Sequence, residues 1–142
     1  MRQATWSRIQ ETMPSGSATE KLGMIIRLKR AYEAPKRSDG CRVLVDSLWP
    51  RGISKSSGRI DLWLKEIAPS AQLRSWFGHD PAKWNTFRRS YFRELQKNAE
   101  PVQRLRKLSR ERPVTLVFGA KDERYNNAVA LKEYLESGHA HL

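Results

Sequence analysis

The fold is decided by the stretch Val43-Leu-Val-Asp-Ser-Leu-Trp-Pro-Arg-Gly52, in which a short apolar run leads directly into charged residues and a turn. An aliphatic run that is too short for a helix and is closed by Pro and Gly predicts a buried strand followed by a tight loop. Residues 114–118 (Val-Thr-Leu-Val-Phe) repeat the arrangement and lead into Gly-Ala-Lys-Asp. Open α/β sheets bind ligands at loops outside the carboxyl ends of their strands. If both strands run parallel in one sheet, we expect Asp46, Arg51, Lys121 and Asp122 to converge on one site.

The other segments predict an α/β fold, a layered single domain with a small, mostly parallel sheet flanked by helices. Strands are expected at residues 25–29 and 42–45, and the 12 residues between them allow either a long hairpin or a parallel crossover. Arg88 falls inside the apolar stripe of one expected helix, so it must pair, snorkel or point into a pocket. Apolar spacing and capping signals place helices at about 60–67, 71–76, from 81 onward, 101–111 and 126–136.

Composition restricts the class of protein. A chain of 142 residues is most simply one domain, as a monomer or a small homo-oligomer, and its net charge of +12 attracts nucleic acid, anionic lipid or phosphorylated metabolites. No apolar run of about 18 residues and no signal-peptide core occur, which predicts a cytoplasmic protein without a membrane partner. The usual metal, dinucleotide and nucleoside-triphosphate motifs are missing from the sequence, so we expect no metal and no cofactor.

The first 23 residues differ from the rest of the chain. They are polar and contain Pro14, Gly16 and several hydroxyl side chains, with few apolar anchors. This composition predicts a flexible N-terminal extension at 1–23 and a single α/β domain at 24–142. Met24 opens the first strand and is a candidate for the native start.

The strand ends predict a polar, basic pocket for a small anionic ligand that carries phosphate or carboxylate, and they leave catalysis open. A guanidinium offers a rigid fork of donors, and a carboxylate accepts hydrogen bonds. The expected ligand-binding residues are Lys29, Arg30, Arg51, Lys121 and Asn126. The candidate catalytic residues, as hydrogen-bond acceptors or general acids and bases, are Asp46, Asp122 and His79.

Five of these residues also have a structural interpretation. Asp46 and Arg51 can pair with each other and cap the loop backbone, and Asp122 or Asn126 can cap the helix that follows. His79 can be a turn residue before the helix that Asp80 and Pro81 begin.

The alternative functional class is a nucleic-acid-binding module. Basic side chains surround one side of the helix expected at 101–111, although charged faces of amphipathic helices are usually just solvated. No exposed aromatic residue is interleaved for base stacking. The residues concerned are Arg89, Arg93, Arg104, Arg106, Lys107 and Arg110.

Several short motifs occur together along this chain. They are Lys29-Arg30-x-Tyr32, Asp39-Gly40, Leu44-Val45-Asp46, Leu48-Trp49-Pro50-Arg51-Gly52, Ala68-Pro69-Ser70, Leu73-Arg74, Tyr91, Glu94-Leu95, Thr115-Leu116, Ala120-Lys121 and Asn126. Through these motifs the chain resembles, over residues 26 to about 135, the YeaO-like group of small bacterial proteins of unknown function. The resemblance implies a cytoplasmic α/β domain and no established activity. Ser47 and Phe118 stand where the group usually has Arg and Tyr, which implies an altered specificity or activity if those two side chains help form the group's site.

Overall fold

Four parallel strands form one sheet in the computed structural model, which describes residues 24–137. The expected extension at 1–23 and the last five residues lie outside this range. The strands lie in the order β1-β4-β2-β3. They are β1 (Ile26–Arg30), β2 (Cys41–Leu44), β3 (Leu62–Trp63) and β4 (Val114–Phe118).

Five α-helices connect and cover the strands within the described range. They are α1 (Lys55–Gly58), α2 (Ala71–Phe77), α3 (Trp84–Lys97), α4 (Ala99–Glu111) and α5 (Asn127–Ser137). Short 3-10 turns occupy Arg37–Asp39, Lys65–Ile67 and Pro81–Lys83. The architecture confirms the predicted α/β class with a small parallel sheet.

The inner strand β4 takes part in most of the strand pairing of the sheet. All five of its residues are buried, and it pairs in parallel with β1 on one side and with β2 on the other. The sequence left open whether the connection between β1 and β2 is a hairpin or a parallel crossover. It is a crossover, because β4 lies between these two strands in the sheet. The two strands that the sequence analysis placed at the site, β2 and β4, are parallel neighbours.

The two faces of the sheet are covered differently. Side chains alternate along β4, so Leu116 and Phe118 face the main core, which α3, α4 and α5 complete. Val117 faces the opposite side, where Leu44 and Ala31 form a smaller cluster. Three partly buried residues pack against that smaller cluster: Trp49 and Ile60 from the segment after β2, and Trp63 from β3.

The prediction of a helix at residues 60–67 is wrong. Leu62 and Trp63 instead pair with Val43 and Leu44 as the edge strand β3, and the Leu64 N–H donates to the Leu44 carbonyl at 2.9 Å. The 3-10 turn Lys65–Ile67 follows. Apolar residues in so short a segment fit either period, and pairing with the exposed edge of β2 decides between them.

The capping signals are confirmed at two helices. The Ser70 hydroxyl accepts a hydrogen bond from Leu73 N–H at 3.2 Å and caps α2. Asp80 likewise accepts from Ala82 N–H at 3.0 Å, although a 3-10 turn precedes α3. Arg88 pairs with Glu133 of α5, which accounts for its place in the apolar stripe.

Candidate functional site

A crevice opens at the carboxyl ends of β2 and β4, because the chain leaves these two strands toward opposite faces of the sheet. The segment after β2 packs on the face that bears Leu44 and Val117. The helix after β4, α5, packs on the main-core face against β1 and β4. Such a divergence between neighbouring strands is the place where open α/β sheets bind ligands. The fold therefore puts the candidate site between the end of β2 and the start of α5.

Asp46 bridges this crevice. One carboxylate oxygen, Oδ2, accepts a hydrogen bond from the Gly119 N–H at 2.8 Å. The other, Oδ1, accepts from Asn127 Nδ2 at 3.2 Å, and the same amide nitrogen donates to the Val45 carbonyl at 3.1 Å. The Asp46 carbonyl accepts from Trp63 Nε1 at 2.8 Å. The carboxylate thus joins the ends of β2 and β4 to the first turn of α5.

Burial raises the pKa of the Asp46 carboxyl above its ordinary value, because a charge is less well solvated inside a protein. Hydrogen bonds from Gly119 and Asn127 act in the opposite direction, as do the charges of Arg74 and His79.

A cleft of about 540 Å³ lies against Asp46. Its volume falls within the range of about 300–1,000 Å³ that is usual for small-molecule sites. Its walls come from the loop after β2, from α2 and the residues beside it, and from the start of α5. The apolar lining consists of Leu48, Ala68, Pro69, Ala71, Phe77, Phe87 and Ala120. The polar lining consists of Asp46, Ser47, Arg74, Ser75, His79, Asn126 and Asn127.

Arg74 is the arginine among the residues described as lining the cleft. Its Nε donates to the Pro69 carbonyl at 3.3 Å, which orients the side chain along the wall. No residue between 24 and 137 takes a hydrogen bond or an ion pair from its terminal nitrogens, and a guanidinium has four N–H donors there. The position of Arg74 is set by α2, whose N-cap Ser70 is held by Glu94 of α3 through bonds of 2.9 and 2.6 Å.

His79 lies at the cleft in a left-handed backbone conformation, with φ at 58°. Few residues other than glycine adopt this region. Its ring lies 5.9 Å from the ring of Phe77, and its charge acts to lower the pKa of Asp46 and of Asp122. His79 therefore stands close enough to both carboxyl groups to interact with them electrostatically.

The helix-capping interpretation describes Asn126, whereas Asp122 binds N–H groups of the loop that precedes α5. Asn126 is buried and its Oδ1 accepts from Val129 N–H at 3.0 Å, so it caps α5 while also lining the cleft. Asp122 lies outside the lining. Its Oδ1 accepts from the Arg124 and Tyr125 N–H groups at 2.8 and 3.0 Å, and these bonds lower the pKa of Asp122, which makes it a weaker base.

Four of the predicted basic residues are not among the residues that line the cleft. Lys29 pairs with Asp39 at 3.1 Å on the other side of the sheet, where Asp39 also pairs with Arg42 at 2.7 Å. Arg30 donates from Nε to the Ala120 carbonyl at 2.9 Å, near the crevice but outside its lining. Arg51 and Lys121 are exposed. The described lining contains one arginine, one aspartate and one histidine, and it is therefore less basic than the sequence predicted.

The structure separates the six predicted nucleic-acid residues into two groups. Arg106 is buried, and it donates to the Leu135 and Tyr134 carbonyls at 2.8 and 3.2 Å. The prediction that Arg106 lies on the solvent side of α4 is wrong. At about 100° of rotation per residue, Arg106 lies only 40° around the helix from the buried Val102. The other five are exposed: Arg89, Arg93, Arg104, Lys107 and Arg110.

Sequence reasoning missed Arg74 and Asn127 as site residues. The signal for Asn127 was its place beside Asn126 at the start of α5, on the edge where the site was expected. The signal for Arg74 was its place in the Leu73-Arg74 motif of the YeaO-like group, but no local pattern places α2 at the cleft, since contacts with α3 hold it there. Within residues 24–137 there is no group of three or more His, Cys, Asp or Glu side chains that could hold a metal ion.

The fold and the cleft define a small α/β protein with a candidate ligand site at the carboxyl edge of its sheet. Residues 25–141 match the family described as the inactive DUF488-N3 subclade, and the chain belongs to this family. No solved structure matches the chain.

The relatives confirm the resemblance to the YeaO-like group. The chain is 41% identical over 114 residues to the uncharacterized protein YeaO of Escherichia coli strain K12, covering 80% of this chain and 99% of that protein. It is 38% identical over 110 residues to the uncharacterized protein Rv3073c of Mycobacterium tuberculosis, covering 78% of this chain and 92% of that protein. In the described part of the chain, every helix is too short or too polar to cross a membrane.

Proposed function

We propose that this protein binds a small organic anion, bearing phosphate or carboxylate, in the cleft between the end of β2 and the start of α5. The observation that carries the proposal is the placement of Arg74. Arg74 is an exposed residue at the wall of a cleft of about 540 Å³, where Nε is tied to the Pro69 carbonyl and the terminal N–H groups have no acceptor among residues 24–137. A guanidinium in this situation is suited to a planar carboxylate or to phosphate oxygens.

The remaining lining gives the ligand an orientation. Asp46 repels an anionic group, so the anion must lie toward Arg74 and His79, while donor groups of the same ligand can approach Asp46. Leu48, Pro69 and Ala71 provide apolar surface for the rest of the molecule. We assign no reaction to Asp46, Asp122 or His79, since the family is described as an inactive subclade. The proposed role is binding.

The test is isothermal titration calorimetry of the full-length chain against a panel of phosphorylated metabolites and carboxylates at low and moderate salt. A ligand that depends on Arg74 should bind about 10- to 100-fold more weakly to Arg74→Ala, because hydrogen bonds to charged groups contribute about 1.5–3 kcal/mol. Arg51→Ala is the matched control, since Arg51 is exposed, as Arg74 is, but does not line the cleft. Equal losses in both variants, or no binding by any member of the panel, would refute the proposal.

Nucleic-acid binding remains the alternative. It is favoured by the five exposed basic residues of α3 and α4 and opposed by two acidic side chains, Glu100 and Glu111, which lie within about 40° of Arg104 around α4. Binding to a phosphate backbone falls steeply with salt, because counterion release scales with the number of phosphates contacted. Binding of oligonucleotides that is lost at moderate salt and insensitive to Arg74→Ala would favour the alternative.

A further inference from the structure

Asp46 is fixed more firmly than a capping role requires. Its main-chain carbonyl is held by Trp63, one carboxylate oxygen by Gly119, and the other by Asn127. Asn127 is itself anchored to the Val45 carbonyl. Partners from β3, from the end of β4 and from α5 therefore determine both where the carboxylate lies and how it is rotated, and a ligand meets it already oriented.

The Asp46 carboxylate retains unused acceptor capacity. An ionised carboxylate can accept about four hydrogen bonds, two on each oxygen. Residues 24–137 supply one bond to Oδ1 and one to Oδ2. Each oxygen can therefore accept one more hydrogen bond, and Asp46 belongs to the cleft lining. A ligand that offers two adjacent donors would satisfy both oxygens together.

Two adjacent donors on an anionic ligand restrict its chemistry. Amidinium and guanidinium groups also offer paired donors, but they are cations, which a chain of net charge +12 attracts less than it attracts neutral or anionic groups. Neighbouring hydroxyl groups supply the pair without charge. The cleft is large enough for more than a pentose, and Leu48, which is 72% exposed, Pro69 and Ala71 offer apolar surface to a further ring.

We propose, on the basis of the function proposed above, that the ligand is a phosphorylated sugar, free or as part of a nucleotide. Its vicinal hydroxyl groups donate to the two oxygens of Asp46, and its phosphate contacts the terminal N–H groups of Arg74. The apolar wall at Leu48, Pro69 and Ala71 receives the base in the case of a nucleotide. Asp46 is then the residue that selects the sugar, and Arg74 is the residue that selects the anion.

The experiment uses matched ligands on the unaltered full-length chain, so that it does not depend on any variant folding. Calorimetric titrations compare each of the common ribonucleoside monophosphates with its 2′-deoxy counterpart, which has lost the vicinal pair. Ribose 5-phosphate and inorganic phosphate complete the set. We expect the 2′-deoxy ligands to bind about 10-fold or more weakly than their ribose counterparts, because a hydrogen bond to a charged group is lost.

The arms of the experiment separate the two sources of the sugar. Binding of ribose 5-phosphate as tightly as a nucleotide identifies a free sugar phosphate, and much weaker binding identifies a nucleotide. Asp46→Asn should reduce the preference for ribose over 2′-deoxyribose, while Arg51→Ala should preserve it. Thermal melting confirms that each variant is folded.

The Gly119 amide provides a second readout, since its N–H donates to Asp46 Oδ2. Its NMR resonance should shift when a ribose ligand binds and shift less with the 2′-deoxy ligand. Equal affinities within the matched pairs would overturn this inference. If those equal affinities were still lost in Arg74→Ala, the proposed anion site would stand. If none of the anions bound, both proposals would fall.

Discussion

Replacing Tyr91 with Phe removes the hydrogen bond that holds the wall of the cleft to α3. Tyr91 is fully buried, and its hydroxyl donates to the Ile67 carbonyl at 2.6 Å. Burial raises the pKa of Tyr91 well above its ordinary value, so the group remains a protonated donor. Two other side chains hold the same segment: Glu94 of α3 binds Ser70, and Asn98, which follows α3, donates to the Glu66 carbonyl at 2.7 Å.

The expected cost follows from what the substitution leaves behind. Phe fills nearly the same volume, so the main loss is the hydrogen bond, and the Ile67 carbonyl remains buried without its donor. An unsatisfied buried acceptor costs about 1–3 kcal/mol. For a chain of this size, each kcal/mol lowers Tm by about 3–5 °C. We therefore expect Tyr91→Phe to lower Tm by about 3–15 °C, as the product of those two ranges.

Tyr32→Phe is the matched control. The Tyr32 hydroxyl also donates to a main-chain carbonyl, that of Arg51, at 2.8 Å, but Tyr32 is 46% exposed and water can replace the lost partner. Its cost should stay within about 0.5 kcal/mol. Urea unfolding of both variants, with unchanged m-values, measures the difference. If Tyr91→Phe cost no more than Tyr32→Phe, the reasoning about the buried wall would be refuted.

Three further predictions concern single positions. Burial acts to raise the pKa of Asp39, but hydrogen bonds from the Lys36 N–H and from Lys29 and Arg42 lower it below its ordinary value. The contribution of Asp39 to stability is therefore present above the unfolded pKa near 3.8 and is lost as the pH falls through the folded pKa. Urea unfolding from neutral to acid pH should show this loss in the native chain and not in Asp39→Asn. Gly40→Ala, at φ 67°, places Cβ against the Pro113 carbonyl and should lower the free energy of unfolding by about 2 kcal/mol or more. Gly52→Ala, at φ 83° with no atom within 4 Å of the new Cβ, should lower it by about 1 kcal/mol. Equal losses of stability in chemical denaturation would contradict the clash at Gly40. Gly119→Ala places Cβ 3.3 Å from Asp46 Oδ2 and displaces the carboxylate, so it should weaken ligand binding about tenfold in calorimetry. Its loss of Tm should be smaller than that of Gly40→Ala. Unchanged affinity would show that the position of the carboxylate does not depend on this contact.

The sequence predicted the edge of the sheet at which the candidate cleft lies. The strands around Val43 and Val114 are parallel neighbours, so Asp46 and Asn126 lie on one cleft, and His79 joins them. Short apolar runs closed by turn residues were sufficient for this, because parallel strands present their carboxyl ends on the same side. The edge strand β3 was missed, because two residues are too few to show a period.

The side chains at the site were harder to predict than its position. Lys29 and Arg30 lie near the end of β1, yet Lys29 faces Asp39 on the other side of the sheet and Arg30 binds a carbonyl. Arg74 reaches the cleft because Glu94 and Tyr91 fix α2 and the segment before it, which no local pattern specifies. Arg106 could have been placed inside by its rotation relative to Val102 on α4.

The most direct test of the account is to map where an anion binds. The full-length chain, labelled with ¹⁵N, is titrated with the tightest phosphorylated ligand from the calorimetric panel while amide resonances are followed. The account predicts that the largest changes fall on Ser47, Arg74, Gly119 and Asn127, around the cleft. Changes concentrated on Arg104, Lys107 and Arg110 of α4, with the cleft unaffected, would contradict it.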